Sequence, residues 1–264
     1  MILKESIFRC PVCHGKLFIF DKYIKCMKNH TYDISKHGYY NLLMSNASGK
    51  RHGDDKLMVE ARRDFLNKGY YEKLKVTLND IVGDGHTLLD SGCGEGYYTS
   101  IFAEKNKVCG IDISKDALKL ASKFCHSAEF AVASIADIPL ADNSVDTTLN
   151  IFAPDSPDEF LRVLKNGGRL ITVYPMENHL LELKQAVYDT PYLNPSPVLE
   201  RKDMTLKEKH TLSYSINLSS NSDIVSLFKM TPYYYKTSKE DQAKLDNLNN
   251  LTVTAQFMIA EHVK

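Results

Sequence analysis

Four potential metal ligands stand near the start of the chain, in two close pairs. Cys10 and Cys13 form the first pair, and Cys26 and His30 form the second, which gives the spacing Cys-x2-Cys-x12-Cys-x3-His. Thiolate and imidazole are preferred ligands of zinc, and two such pairs can complete its tetrahedral shell while the residues between them form a hairpin. A segment this short cannot stabilise itself by burial alone, so the metal would fix its fold. We therefore expect a structural zinc site with four protein ligands.

The segment LLDSGCGEGYYT is a second place where residue types and spacing indicate chemistry. An apolar, strand-like run ends at Asp90 and is followed by Gly92, Gly94 and Gly96. Glycines allow a sharp turn and let a ligand approach the main chain closely. A dinucleotide fingerprint would need its third glycine at the position of Tyr97, so a diphosphate-binding loop is disfavoured. The acidic residue before the loop instead suits a ligand that carries ammonium and sulfonium charges.

Asp112 stands at the end of the next strand-like run, twenty residues after Gly92. A carboxylate in this position can accept hydrogen bonds from both hydroxyls of a ribose. Together with the glycine loop, Asp112 predicts binding of S-adenosylmethionine rather than of a nicotinamide cofactor.

These residues need a scaffold, and from residue 86 onward strand-like and helical runs alternate. The repeated β-α-β pattern with short connections predicts a doubly wound, largely parallel sheet. DEFLRVLKNGG is expected to form a helix that ends at Gly167. Before the sheet, YIKC and HTYDI read as short strands, and Asp54 is expected to cap a helix whose apolar residues recur at helical spacing. These apolar residues are Leu57, Met58, Ala61, Phe65 and Leu66.

Composition limits the possible classes of protein. With 264 residues, 43% of them hydrophobic and 25% charged, the chain suits one medium domain with an appendage. No apolar run is long enough to span a membrane, and no long apolar segment precedes Cys10, so we expect neither a membrane protein nor a secreted one. The three cysteines outside the proposed zinc site are scattered, which favours reduced thiols in the cytoplasm.

A net charge of zero hides an asymmetry along the chain. Residues 1–75 contain 15 Lys and Arg against 8 Asp and Glu, whereas residues 76–264 contain 18 against 25. A basic head on an acidic body indicates a polyanionic partner bound through the head. A solvated basic surface without a partner is the alternative, and charge alone does not decide between the two.

Longer stretches of the sequence resemble a known family. LLDSGCGEGYYT, GIDIS, ASIADIPLADNSVD and EFLRVLKNGGRLITVYP together resemble a class I methyltransferase. The N-terminal Cys and His motif, followed by YDISKHGYYNLL and EARRDFLNKGYYEKL, resembles more narrowly the RlmA family of 23S rRNA (guanine-N1)-methyltransferases. The segments PMENHLLELK and KMTPY fit the same family. The resemblance extends from about residue 8 to residue 260 and so covers essentially the whole chain.

The resemblance implies a fold, a division into domains and a set of binding residues. It implies a class I S-adenosylmethionine-dependent methyltransferase fold, a doubly wound and mostly parallel α/β sheet, with an N-terminal zinc-ribbon-like subdomain. We expect a zinc-binding, RNA-recognition subdomain over residues 1–45, a basic linker and helical connector over 46–84, and the methyltransferase domain over 85–264. Cys10, Cys13, Cys26 and His30 stand at the family's zinc positions. The positions where the family contacts S-adenosylmethionine are Tyr71, Gly94, Glu95 and His179.

The function implied by the resemblance is methyl transfer to N1 of a guanine in a hairpin loop of 23S rRNA, by a possible homodimer. In some relatives this modification contributes to macrolide resistance. One alternative is a methyltransferase for a small molecule or a protein, with the zinc subdomain as a lid or oligomerisation element. Another is an RNA-binding protein that has no catalytic activity. The intact Asp90, Asp112 and glycine loop argue against this last reading.

The sequence does not assign a catalytic residue. Guanine N1 carries a proton at neutral pH, so a group must accept it or stabilise the charge that forms. Asp155 is one possibility, although a helix N-cap is the favoured role for it, and water is another acceptor. Asn150, Phe152 and Pro154 are expected to contact the target base. The residues expected to contact phosphates are Lys4, Arg9, Lys16, Lys22, Lys25, Lys28, Lys50 and Arg51.

Overall fold

The structure is a computed structural model that describes residues 4–44 and 53–264. Four short strands near the start form a small antiparallel sheet, and we call these strands and their turns, residues 4–34, the ribbon. Their bounds are β1 Lys4–Arg9, β2 Lys16–Ile19, β3 Tyr23–Cys26 and β4 Thr31–Asp33. The prediction of strands in YIKC and HTYDI is confirmed.

A second sheet of eight strands forms the body of the molecule, in the order β11-β12-β10-β9-β6-β7-β8-β5. Its strands are β5 Tyr40–Asn41, β6 Thr87–Ser91, β7 Lys107–Asp112, β8 Glu129–Val132, β9 Val145–Ile151, β10 Leu164–Pro175, β11 Thr205–Leu218 and β12 Leu251–Val263. Neighbours from β10 through to β5 are parallel, while β12 pairs antiparallel with both β10 and β11. The expected mostly parallel sheet is confirmed.

Helices pack on both faces of this sheet. They are α1 Lys56–Asn67, α2 Glu72–Val82, α3 Thr99–Phe102, α4 Lys115–Phe124, α5 Pro157–Val163, α6 Leu181–Val187, α7 Asn221–Lys229 and α8 Lys239–Ala243, with a short 3-10 helix at Tyr234–Lys236. Within residues 4–44 and 53–264, none of the helices has the length and apolar character needed to cross a membrane.

The start of α1 differs by one residue from the prediction. Its N-cap is Asp55, whose carboxylate accepts a hydrogen bond from the Met58 amide at 3.0 Å. Asp54, the expected cap, instead forms an ion pair with Arg62. Met58, Ala61, Phe65 and Leu66 are buried as expected, but Leu57 is exposed and Val59 is buried in its place.

The end of α5 was also predicted wrongly. The helix stops at Val163 rather than at Gly167, because β10 already begins at Leu164. The carbonyls of Arg162 and Val163 accept hydrogen bonds from the amides of Asn143 and Ser144, and Leu164 pairs with Val145 in the sheet. Sheet pairing therefore competes successfully with the helical pattern of the sequence. The prediction of Asp155 as N-cap is likewise wrong, since Ser156 occupies that position.

The ribbon is packed against the body of the molecule. β5 joins the edge of the main sheet by pairing with β8. The Arg9 amide donates to the Pro139 carbonyl at 2.8 Å, and Ser6 Oγ donates to Glu129 at 2.6 Å. One hydrophobic cluster includes Phe8, Leu17 and Ile24 of the ribbon together with Leu89, Cys109 and Phe160 of the body. The ribbon therefore shares a core with the sheet.

The order of strands determines where a ligand can bind. β6 lies in the middle of the sheet, with β9 on one side and β7 on the other, so the winding of the chain reverses there. In doubly wound sheets, ligands bind outside the carboxyl ends of the strands at such a reversal. The glycine loop follows β6 directly, and Asp112 ends β7.

Candidate active site and metal centre

A cavity of about 470 Å³ opens at the carboxyl ends of β6, β7 and β9. Of the expected binding residues, it brings together Tyr71, Asp90, Gly92, Gly94, Glu95 and Asp112. Gly96 and His179 do not line it. Its volume lies within the usual range for small-molecule sites.

The three glycines of the loop have different roles. All three have positive φ, which an L side chain adopts with strain. A Cβ at Gly92 would lie 2.4 Å from Ala153 Cβ, so the loops after β6 and β9 touch at this point. A Cβ at Gly94 would meet nothing within 4 Å, which leaves its backbone open to a ligand. At Gly96 a Cβ would lie 3.1 Å from Ala121 Cβ, so this glycine allows the loop to pack against α4.

Asp112 connects the glycine loop to the end of β7. Its Oδ2 accepts a hydrogen bond from the Gly94 amide at 2.9 Å, and its Oδ1 accepts one from the Ser114 amide at 2.7 Å. Burial raises the pKa of Asp112, and these two amide bonds lower it in part. Each carboxylate oxygen can accept a second hydrogen bond, so both can still receive hydroxyl groups of a ligand.

Asp90 lies at the base of the cavity and is 2% exposed. Burial raises its pKa to about 6, and the charge of Asp112 acts in the same direction. A hydrogen bond of 2.5 Å from Thr99 Oγ1 favours the ionised form. This carboxyl therefore titrates closer to neutrality than an ordinary aspartate.

Glu95 presents a buried carboxyl oxygen to the cavity. Its Oε2 has no hydrogen-bond partner in the described part of the chain, and burial raises the pKa of Glu95 to about 7. The positive charges of Arg62 and Arg63 oppose that rise. A buried acceptor without a partner is costly unless a ligand supplies a donor. The group that fits best is a cation with N–H donors, such as an amino acid ammonium.

Tyr71, which lines the cavity, forms a buried pair with His179, which does not line it. Tyr71 Oη lies 3.4 Å from His179 Nε2, and the rings of Tyr71 and Phe257 meet edge to face. His179 Nδ1 accepts a hydrogen bond from the Gln256 amide, so the ring proton stands on Nε2, facing Tyr71. Burial lowers the pKa of His179 to about 3, which keeps the imidazole neutral. Within this structure His179 supports Tyr71, and its own contact with a cofactor stays a prediction.

The segment NIFAP after β9 forms another wall. Phe152 has φ +57°, a strained value for a bulky residue, and its 45% exposed ring lines the cavity together with Pro154. Asn150 is buried, donates to the Pro154 carbonyl at 3.1 Å and accepts from the Ala153 amide at 3.2 Å. Phe152 and Pro154 thus remain available to a substrate, whereas Asn150 holds the loop in shape.

Sequence reasoning missed several residues of the cavity. Arg62 lies on α1 and Met230 directly after α7, and both line the cavity; the segments that contain them resemble the family but indicate no role for either residue. Only the three-dimensional packing of these helices reveals their role. Asp155 carries an ion pair with Arg201 at 3.0 Å, and Arg201 also donates to Tyr174 Oη at 2.9 Å. Arg201 is 46 positions from Asp155 and 27 from Tyr174 along the chain, so no local pattern in the sequence indicates either contact.

The four expected metal ligands converge in the ribbon. The ligand atoms of Cys10, Cys13, Cys26 and His30 all lie within 4.8 Å of one another. His30 Nδ1 is 3.4 Å from Cys10 Sγ and 3.5 Å from Cys26 Sγ, and the Sγ atoms of Cys13 and Cys26 are 3.6 Å apart. Zinc–sulfur bonds of 2.3 Å in a tetrahedron require edges of about 3.8 Å. The donor set and its spacing therefore fit zinc.

Short turns hold each pair of these ligands. His14 and Asn29 have positive φ; His14 directly follows Cys13, and Asn29 directly precedes His30. Tyr32 Oη lies 3.0 Å from Cys10 Sγ. Burial opposes ionisation of Cys10, but hydrogen bonds from Tyr32 and the backbone lower its pKa to about 6. The thiolate form that binds metal is therefore favoured.

Together these features define a class of protein. A doubly wound sheet, a glycine loop after its central strand, and an acidic residue ending the next strand are the features of a class I S-adenosylmethionine-dependent methyltransferase. Two family profiles agree with this conclusion. The first, described as a methyltransferase domain, matches residues 83–237, and the second, described as the N-terminal zinc ribbon of RlmA, matches residues 8–48. The chain belongs to the RlmA family.

Individual relatives place the chain in the same family. The YxjB protein of Bacillus subtilis is named as a candidate 23S rRNA (guanine-N1)-methyltransferase. It is 32% identical to this protein in an alignment that covers 96% of each chain. A 23S rRNA (guanine(748)-N1)-methyltransferase of Streptomyces fradiae is 35% identical over 68% of this chain and 67% of its own. The crystal structure of a candidate methyltransferase from Bacillus halodurans has a similar fold. Its TM-score is 0.51, with 16% identity over 72% of this chain and 98% of its own.

Proposed function

We propose that this protein transfers a methyl group from S-adenosylmethionine to N1 of a guanine in a hairpin loop of 23S rRNA. The observation that carries the proposal is the cavity itself. Its lining includes the acidic residues Asp90, Glu95 and Asp112 and the aromatic rings of Tyr71 and Phe152. A cationic cofactor and an aromatic base can therefore lie next to each other in it. The relatives named as 23S rRNA methyltransferases support the choice of substrate.

The residues that we propose hold the cofactor divide into three groups. Asp112 would accept the ribose hydroxyls, and the open backbone at Gly94 would approach the methionine part. Asp90 and Glu95 would face its positive charges. Gly92 and Gly96 would shape the loop, and Tyr71, supported by His179, would close the cavity. When bound, S-adenosylmethionine supplies an electrophilic methyl group for in-line displacement, so positioning dominates the chemistry.

The chain's own residues must also receive an unstacked base. Guanine N1 is occupied in a Watson–Crick pair, so the target has to come from a loop or be drawn out of its stack. The exposed ring of Phe152 offers a surface on which such a base can stack. Asp155 is bound to Arg201, so we propose that the N1 proton passes to water rather than to this carboxylate.

We propose that the ribbon holds the RNA and that the zinc ion, bound by Cys10, Cys13, Cys26 and His30, is structural. Four protein ligands leave no open position for chemistry. Lys22, Lys25 and Lys28 form no ion pair among residues 4–44 and 53–264, whereas Arg9 pairs with Asp142 and Lys16 with Glu5. Lys50 and Arg51, also expected to contact phosphates, lie outside the described residues. The homodimer that the resemblance implies stays a prediction.

The experiment that tests this function is transfer of a labelled methyl group by the purified protein. The substrates are rRNA from a strain lacking the gene, total protein, and a small-molecule extract. We expect label only in 23S rRNA, with 1-methylguanine at a single position on mass mapping. Label in protein or in a small molecule, with none in rRNA, would support the alternative reading in which the ribbon acts as a lid.

A further inference from the structure

Beside the cavity lies a groove, separated from it by Glu95, Gly96 and Tyr97 at the end of the glycine loop. It has a volume of about 400 Å³ and runs between α1, α2 and α4. Leu66, Glu95 and Tyr97 line both spaces, so the groove adjoins the cavity directly. Neither the proposed cofactor contacts nor the proposed base contacts explain why it is there.

Two cation–aromatic pairs stand along this groove. The guanidinium carbon of Arg63 lies 4.3 Å from the centroid of the Phe124 ring, and Lys75 Nζ lies 4.6 Å from that of Tyr97. Lys123 does not line the groove, but it adds a third cation beside it, with Nζ 5.4 Å from the Phe124 centroid. The Phe124 side chain ends α4 and is 55% exposed, which is unusual for a phenyl ring. The groove thus presents an aromatic surface surrounded by positive charge.

The charges of the groove are available to a partner. Arg63, Lys75 and Lys123 form no ion pair within residues 4–44 and 53–264. Two acidic residues also line the groove. Glu72 accepts a hydrogen bond from Tyr97 Oη at 3.0 Å, and Glu95 is buried at the boundary with the cavity. Glu72 is exposed, while Arg63 and Lys75 are half-buried, so the three cations in and beside the groove exceed the one acidic residue on its accessible part.

We infer that this groove binds a single-stranded nucleotide of the substrate RNA, next to the target guanine in the sequence. Its base would stack on Phe124, while Arg63, Lys75 or Lys123 would contact the neighbouring phosphates. Proteins bind single-stranded RNA by this combination of exposed rings and cations. A guanine drawn into the cavity leaves its neighbours unpaired, and the adjoining groove is where one of them can go. This inference rests on the proposed function.

The test compares variants of the full-length protein on an RNA hairpin that contains the methylated guanine. Phe124→Ala removes the ring, and Phe124→Trp keeps an aromatic surface. Val76→Ala is the matched control, because Val76 is 44% exposed on α2 and does not line the groove. We expect Phe124→Ala to raise the KM for RNA about tenfold, as is typical for loss of one stacked base. Phe124→Trp and Val76→Ala should change it less than about twofold, and the Kd for S-adenosylmethionine should not change.

Abasic RNAs show whether the ring contacts one particular base. Each nucleotide beside the target guanine is replaced in turn by an abasic residue. At one position, the abasic replacement should raise the KM of the wild-type protein about as much as Phe124→Ala does. In the Phe124→Ala protein, the same replacement should raise the KM no further, because the stacking contact is already lost. The inference would be overturned if Phe124→Ala left the KM unchanged, or if the effects of Phe124→Ala and of the abasic replacement were additive at every position. The proposed function would still be supported in that case, provided that the wild-type protein methylates the RNA. If the wild-type protein methylates no RNA, the proposed function fails and the inference fails with it.

Discussion

The ribbon and the cofactor end of the main sheet both hold several polar groups within a few ångströms, but they do so by different means. In the ribbon, strands of three to six residues bring three cysteines and one histidine together, with Cys10 and Cys26 buried. In the main sheet, strand ends supported by a large core hold Asp90 and Asp112 in place. We expect a metal to stabilise the first arrangement in addition to its packing against the body, whereas the second exists through burial.

The two regions are nevertheless one packed unit. Phe8 of the ribbon lies in the same hydrophobic cluster as Leu89 of β6, the strand that leads into the glycine loop. The apolar residues that line the cavity, however, belong mostly to the other cluster, as Leu66, Tyr71 and Cys93 do. The comparison indicates that the ribbon contributes to overall stability but that cofactor binding does not depend on it.

Truncation of the shared core should have the largest effect. Phe8 is 1% exposed and its ring meets Tyr40 edge to face, with centroids 6.0 Å apart. We expect Phe8→Ala to lower the free energy of unfolding by about 3–5 kcal/mol in denaturant titrations. Met27→Ala is the control, since Met27 is 83% exposed, and it should change stability by less than about 0.5 kcal/mol. A loss below about 1 kcal/mol for Phe8→Ala would mean that ribbon and sheet do not share a tight core.

The glycine loop should be the next most sensitive feature, through cofactor affinity. Gly92→Ala places a Cβ 2.4 Å from Ala153 Cβ on a backbone with φ +75°. We expect S-adenosylmethionine binding to weaken about 100-fold in calorimetry, the effect of about 3 kcal/mol of strain. Gly85→Ala is the matched control, because Gly85 has φ +81° but open space around it. That variant should lose only about 1 kcal/mol of stability and no affinity. Equal losses of affinity in both would contradict the role of the contact with Ala153.

The pH dependence of cofactor binding should show a smaller effect. Glu95 has its pKa raised by burial to about 7, above the usual 4.5, so folding favours its protonated form. The free protein should lose stability as pH rises from about 4.5 through 7. A cationic ligand prefers the ionised carboxylate, so the affinity should increase as pH rises, by about tenfold between pH 5.5 and 7.5.

The variant Glu95→Gln provides the control for this prediction. It should bind more weakly at pH 7.5 and show a flatter profile, with the slope that remains near pH 6 coming from Asp90, whose pKa burial raises to about 6. A wild-type profile without slope, or one that Glu95→Gln leaves unchanged, would exclude Glu95 as the group facing the cofactor's charge.

The lysines of the ribbon should have the smallest individual effects. Replacing Lys22, Lys25 and Lys28 by alanine should weaken RNA binding and reduce its salt dependence, with the log–log slope falling by about 2. The control replaces Lys105, Lys165 and Lys244, which are paired with acidic residues on the body of the molecule. Anisotropy titrations at several salt concentrations measure both. Equal slopes for the two triple variants would place the RNA elsewhere.

The sequence predicted most of what is local. The glycine loop, Asp112, the four clustered ribbon ligands and the alternation of strands and helices all appear as expected, because each depends on short-range spacing. What it missed depends on packing between distant segments. Arg62 reaches the cavity because α1 packs beside the glycine loop, and Asp155 contacts Arg201 rather than capping α5. Pairing of β5 with β8 has no signal in a strand of two residues.

Removal of the metal tests most directly whether the ribbon binds RNA while the sheet binds the cofactor. The zinc-loaded protein and the same protein after chelation are compared at 20 °C, with calorimetry for S-adenosylmethionine and labelled-methyl transfer to 23S rRNA. We predict that chelation abolishes RNA methylation and lowers the unfolding temperature, while the Kd for S-adenosylmethionine changes by less than about threefold, or 0.7 kcal/mol. Loss of cofactor binding together with methylation would contradict this division of roles.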